Sequence, residues 1–161
     1  MHCIVYEIPL PRLHWYNWPN SGSRLISNGC HWLDYFLYVN GSATEVDADV
    51  IPLRGADLLA WVRLDNRAQL VLSLTDSGSQ RLGVRDIIEL RTGDTTVRLI
   101  DGTYYQAERS DGILRRRKVN PMKSYVVMYN TICKCILSKK EGDSFDSLKS
   151  TKLTLDLEDV L

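Results

Sequence analysis

Histidine is scarce in this chain: three occur, and none follows His31. Nucleophilic or general acid–base chemistry that leans on a late histidine is therefore excluded. Cysteine is also sparse, with Cys3, Cys30, Cys133 and Cys135 in 161 residues, too few for a disulfide scaffold. Lysine is absent before Lys118 and tryptophan absent after Trp61. No apolar run reaches the roughly 20 residues a membrane span requires; the longest, residues 124–133, is half that. Residues 1–11 carry Glu7 and two prolines where a secretory leader would need a basic start and an apolar core. The expected compartment is accordingly cytoplasmic or otherwise reducing, with no membrane partner. Patterns of the GxxxxGK[ST], GxGxxG and GxSxG type are missing, so no phosphate-cradling turn or nucleophile elbow is expected.

What is present is an ordinary globular mix, 44% apolar and 25% charged, with zero net charge. Charge is unevenly spread. Residues 1–111 carry a net −4, residues 112–140 a net +8 with no acid at all, and residues 141–161 a net −4. One β-rich domain over residues 1–161 is expected, with 119–161 readable as a C-terminal extension.

The recurring local signal is the β-hairpin. Residues 2–8 read as a strand. Asn40-Gly41 suits a type I′ turn between residues 31–39 and the alternating Val46, Ala48 and Val50. Residues 57–64 and 67–75 read as two strands about Asp65-Asn66, with a helix over 56–74 as rival. Turn signals at Thr92-Gly93-Asp94, Asp101-Gly102 and Ser110-Asp111-Gly112 then mark a meander. Residues 124–137 and the alternating Leu153, Leu155 and Leu157 extend it. One short helix fits residues 144–150, capped by Ser144. The expected fold is all-β: about ten mostly antiparallel strands in a sandwich or barrel, with at most one or two short helices.

Candidate chemistry is thin. Cys30, followed by Trp32-Leu33, resembles the nucleophile segment of papain-type cysteine proteases. The missing later histidine removes the base, so no role is carried over. Cys133 and Cys135 share a strand face in this reading, yet no second pair has zinc spacing, and no metal or cofactor is expected. Asp47 and Asp49 read as a solvated strand face, and Asp94, Asp101 and Asp111 as turn residues.

The sharpest feature is Arg115-Arg116-Arg117-Lys118. Unpaired charges on both faces of a strand require an edge. Two functions follow as expectations. The first is a non-enzymatic β-rich interaction or assembly module, self-associating or binding another protein, anchored by Trp15, Tyr16 and Trp18. The second is an RNA- or DNA-binding module on residues 112–140. There Arg115, Arg116, Arg117, Lys118, Lys123 and Lys134 would neutralise phosphates, and Tyr125 and Tyr129 would stack bases.

Overall fold

The computed structural model describes residues 1–41, 43–139 and 145–161. The all-β sandwich is corrected by it. Eight strands form one open sheet, and three helices accompany it. The strands are β1 (His2–Tyr6), β2 (Glu45–Pro52), β3 (Leu58–Leu64), β4 (Gln69–Thr75), β5 (Arg85–Thr92), β6 (Thr95–Ile100), β7 (Tyr104–Arg109) and β8 (Gly112–Lys118). Their order is β2-β3-β4-β1-β5-β6-β7-β8. Only β1 and β4 run parallel; every other neighbouring pair is antiparallel.

Helix α1 (Cys30–Val39) occupies the stretch expected as the first hairpin strand. Its apolar residues run almost without break, which hides the period. The buried ones, Leu33, Phe36 and Leu37, stand at helical i, i+3, i+4 spacing. Asn40-Gly41 ends this helix rather than turning a hairpin. Asn40 caps it, its side-chain amide donating to the Phe36 carbonyl at 2.8 Å, and Gly41 takes a positive φ of 63°. An αL residue serves a helix C-terminus as well as a type I′ turn, so the dipeptide does not discriminate.

Helix α2 (Pro121–Leu137) replaces the strand expected at 124–137. Asn120 caps it by accepting from the Met122 amide, and Pro121 opens the first turn. Helix α3 (Phe145–Glu158) replaces the last expected strand, with Leu153 and Leu157 turned inward. Ser144, the expected cap, lies outside the described residues, as does Lys140.

Helices α1 and α3 pack on each other and on one face of the sheet. The inward set runs across the strands: Cys3 and Val5 on β1, Ala60, Val62 and Leu64 on β3, Leu70, Leu72 and Leu74 on β4, and Ile88 on β5. Leu25, Leu33, Phe36, Leu37, Leu153 and Leu157 meet it from the helical side. Gly29, the residue before α1, sits against Leu25 and the β4 residue Leu74. A Cβ there would stand 2.7 Å from Leu25 Cδ1 and 3.2 Å from Leu74 Cδ1, so no larger residue fits without displacement. The opposite sheet face is open. Across it runs the register row Asp49, Trp61, Val71, His2, Glu89, Arg98, Gln106, Arg116.

Candidate functional site

The parallel pair β1 and β4 ends together, with Tyr6 beside Thr75. Side chains just past those two ends therefore converge, as they do at the carboxyl ends of strands in other mixed sheets. Glu7 follows β1 and Asp76 follows β4. Asp57 precedes β3 and points at the same place, because β3 runs antiparallel to β4. The connection from β1 to α1 closes over this end. It contains a short 3₁₀ turn (Trp15–Asn17) and then a π-helical turn (Leu25–Gly29) that leads directly into α1. Widened π turns sit preferentially at functional sites.

Arg24 enters this junction with its side chain only 8% exposed. Its guanidinium meets three carboxylates: Glu7 at 3.5 Å, Asp57 at 3.6 Å and Asp76 at 3.2 Å. One cation among three buried or half-buried anions is an incomplete balance, so the remaining lone pairs need donors. Thr75 Oγ1 (2.7 Å), the Asp76 amide (2.7 Å) and Ser77 Oγ (2.8 Å) donate to Asp57. Burial opposes ionisation of Asp57, but these three donors together with Arg24 outweigh it, and its carboxyl lies below the ordinary value. Asn28 Nδ2 donates to Glu7 at 2.6 Å and Asn28 Oδ1 accepts from the Trp32 indole at 2.9 Å, tying the π turn to the cluster. Among the described residues, Glu7 Oε2, Arg24 Nη1 and the Tyr6 hydroxyl are buried without a hydrogen bond. Glu7 Oε2 and Arg24 Nη1 are ion-paired within the cluster all the same, which leaves the Tyr6 hydroxyl as the one of the three without a charged partner.

Beside the cluster opens a cavity of about 310 Å³, lined by Tyr16, Asn17, Ser23, Arg24, Ser27, Asp57 and apolar neighbours including Leu10, Leu58 and Leu161. The Tyr16 phenol is raised above its usual pKa, by burial first and then by the Glu7 carboxylate. Glu158 holds the lining residue Ser23, accepting from its amide at 2.7 Å and from its hydroxyl. His31 stands exposed in the first turn of α1. The Cys30 thiol is raised in pKa, chiefly by burial, and is no thiolate nucleophile at neutral pH. A larger cleft of about 640 Å³ lies at the far end of α1, between Val39, Asn40, Arg67, Gln69 and Arg91. It holds none of the buried charged groups.

The residues singled out from sequence divide. Of Trp15, Tyr16 and Trp18, only Tyr16 faces the cavity. Trp15 packs edge-on against it at 4.1 Å between ring centroids, and Trp18 is more than half exposed. Arg115, Arg116, Arg117 and Lys118 lie on β8, an edge strand. Arg116 is engaged there, donating to Gln106 at 3.0 Å. Lys123, Tyr125, Tyr129 and Lys134 are on α2, not on a strand. At 100° per residue the two lysines fall on the side away from the tyrosines, so cations and rings do not line one groove. Cys133 and Cys135, two apart on a helix, point about 200° apart, and all four cysteines are free.

Sequence reading missed the Arg24 cluster. Its four members lie at positions 7, 24, 57 and 76 and share no spacing. The one available signal was Glu7 closing an apolar strand, since a carboxylate at the end of a buried strand needs a partner.

No helix among the described residues is long and apolar enough to cross a membrane. No family model matches the chain, and no curated protein matches its sequence. Solved structures do match. The chain is similar to a UDP-N-acetylglucosamine 3-dehydrogenase from Acidithiobacillus ferrooxidans, at 12% identity and a TM-score of 0.77, covering 99% of this chain and 52% of that one. It is similar to a dehydrogenase from Clostridium difficile, at 11% identity and a TM-score of 0.74, covering 99% and 54%. A 3-ketoreductase from Actinomadura kijaniata, solved with NADP and TDP-benzene, matches at 13% identity and a TM-score of 0.70, covering 98% and 53%. The chain thus spans about half the length of the structures it matches. Their shared architecture is a mixed α/β sheet with helices. This overturns the expectation of an all-β sandwich and, with it, the β-rich interaction module read from that fold.

Proposed function

We propose that this chain is the substrate-facing part of an NAD(P)-dependent oxidoreductase acting on a hydroxyl or keto group of a polyhydroxylated compound. The observation that carries the reading is the likeness of nearly the whole chain to half of such enzymes. The dinucleotide itself does not fit this chain. Its binding needs parallel strands, a Gly-rich strand-to-helix turn and an open helix N-terminus. Here the one parallel pair is joined through a long connection without that turn, and α1 begins inside a π turn. The cofactor is therefore assigned to a unit outside this chain.

What the chain contributes is a polar cavity. The Tyr16 phenol, Ser27 hydroxyl and Asn17 amide are neutral donors and acceptors that match hydroxyls. The carboxylates behind them are occupied by Arg24 and fix the wall.

The test is a titration of the ¹⁵N-labelled chain with NADPH and with a panel of hexoses and nucleotide sugars. At least one sugar should shift the amides of residues 16–31, NADPH alone should not, and Ser27→Trp should abolish the shift by filling the cavity. Sugar-independent spectra across the panel, or tight binding of NADPH to the isolated chain, would sink the reading.

A further inference from the structure

The charge of the Arg24 cluster bears on what the neighbouring cavity can hold. Of the side chains that line it, only those of Arg24 and Asp57 are charged. Behind them stand Glu7 and Asp76, so Arg24 faces three carboxylates, and two negative charges stay uncompensated among the described residues. Glu158 adds another beside Ser23, because the amide and hydroxyl it accepts from are neutral. Asp57 stays ionised despite its burial, since Thr75, Asp76, Ser77 and Arg24 hold its pKa low. Arg12 and Arg54 belong to flanking loops, exposed and away from the lining, where solvent screens them. An anionic ligand could recruit Arg24 only by leaving Glu7 and Asp57, both about nine-tenths buried, without their cation.

The neutral lining groups favour the same kind of ligand. Asn17 gives its side-chain N–H groups to the Pro11 carbonyl at 3.0 Å and the Arg12 carbonyl at 3.5 Å, which leaves its Oδ1 to accept. The hydroxyl oxygens of Tyr16 and Ser27 are acceptors as well. An ammonium group has three donors and no acceptor, so it suits this wall in charge and in hydrogen bonding. A carboxylate or phosphate brings acceptors alone and meets the field of the buried anions. We infer that the cavity selects its polyhydroxylated ligand by charge, taking an amine-bearing sugar in preference to the neutral sugar and turning away acid- and phosphate-bearing ones. The inference rests on the proposed function and narrows the substrate class of that same site. Two excess charges at about 10 Å, in the dielectric of a partly hydrated site, change affinity by roughly tenfold per unit of ligand charge.

The experiment titrates the full ¹⁵N-labelled chain with glucose, glucosamine, N-acetylglucosamine, glucuronate and UDP-glucose, following the amides of residues 16–31. A pH of about 6 keeps the free amine protonated. Glucosamine should bind roughly tenfold more tightly than glucose, and glucuronate roughly tenfold more weakly. N-acetylglucosamine, which keeps the nitrogen and loses the charge, should bind no better than glucose. Asp76→Asn and, separately, Glu158→Gln each remove one negative charge with little change of shape. Either should narrow the ratio of glucosamine to glucose affinity by about threefold, a readout that a purely structural role would not move. Equal affinity for the cationic, neutral and anionic hexoses overturns the charge selection and leaves the functional reading standing. A ratio unmoved by both variants does the same, as does UDP-glucose binding more tightly than glucosamine. Amides unmoved by every sugar overturn the inference and the reading together.

Discussion

Replacing Arg24 by methionine removes the sole cation from a buried site and keeps the bulk of its side chain. Three carboxylates then face one another, two of them about nine-tenths buried. Removing one partner of a buried ion pair costs about 3–5 kcal/mol, because the penalty is the desolvated charge left behind. In a domain of this length that corresponds to a fall in Tm of roughly 6–20 °C. Arg63 supplies the internal control. Its bond to Asp47 is as short, 3.1 Å, but both side chains are about half exposed, so Arg63→Met should cost less than about 1 kcal/mol. The pH dependence carries a sign. Asp57 is held ionised below its ordinary range in the fold. Its stabilisation is present above that range and fades as pH falls through the depressed folded value. Without Arg24 the carboxylates repel unopposed, so protonation relieves the variant before it harms the parent. The deficit of Arg24→Met should therefore be largest near pH 7.5 and shrink toward pH 4. Urea unfolding followed by tryptophan fluorescence at several pH values measures this. A deficit no larger than that of Arg63→Met, or one constant with pH, would refute the account of the cluster.

Gly29→Ala should destabilise by about 1–3 kcal/mol through overpacking against Leu25 and Leu74, read as a lower Tm with an unchanged circular dichroism spectrum. Phe36→Ala, which empties the centre of the α1–sheet contact, should cost about 3–5 kcal/mol in the same denaturation assay. Burial, reinforced by Asp86, pushes the Cys3 thiol up to about 12. Ellman's reagent at pH 8 should consequently modify exposed Cys133 quickly and reach Cys3 only on unfolding.

Strand signals in the sequence were dependable where a turn and a period of two agreed. Residues 58–64 and 69–75, and the meander of β5 to β8, stand where Asp65-Asn66 and the Gly-bearing turns place them. Misreading occurred where apolar residues are dense. In residues 30–39 and 121–137 β-branched and aromatic side chains fit either period, so the pattern alone does not separate strand from helix. The neighbour that covers α1 is the sheet, which composition alone does not announce. The candidate site was less legible still. Of its groups only Tyr16 drew notice beforehand, as an interface residue; Arg24 and its carboxylates become a unit only once β1 and β4 lie side by side.

The position of β1 has a consequence for how the molecule assembles. It precedes the other seven strands, yet it is the seam joining β2-β3-β4 to β5-β6-β7-β8, and its partners Val71 and Glu89 lie far along the chain. The two hairpin stacks form from near neighbours, whereas the seam waits for a long loop to close, a slow, nonlocal event. Until then each half exposes a raw edge. The folding chain is thus most vulnerable to wrong pairing in the interval before β1 slots between β4 and β5.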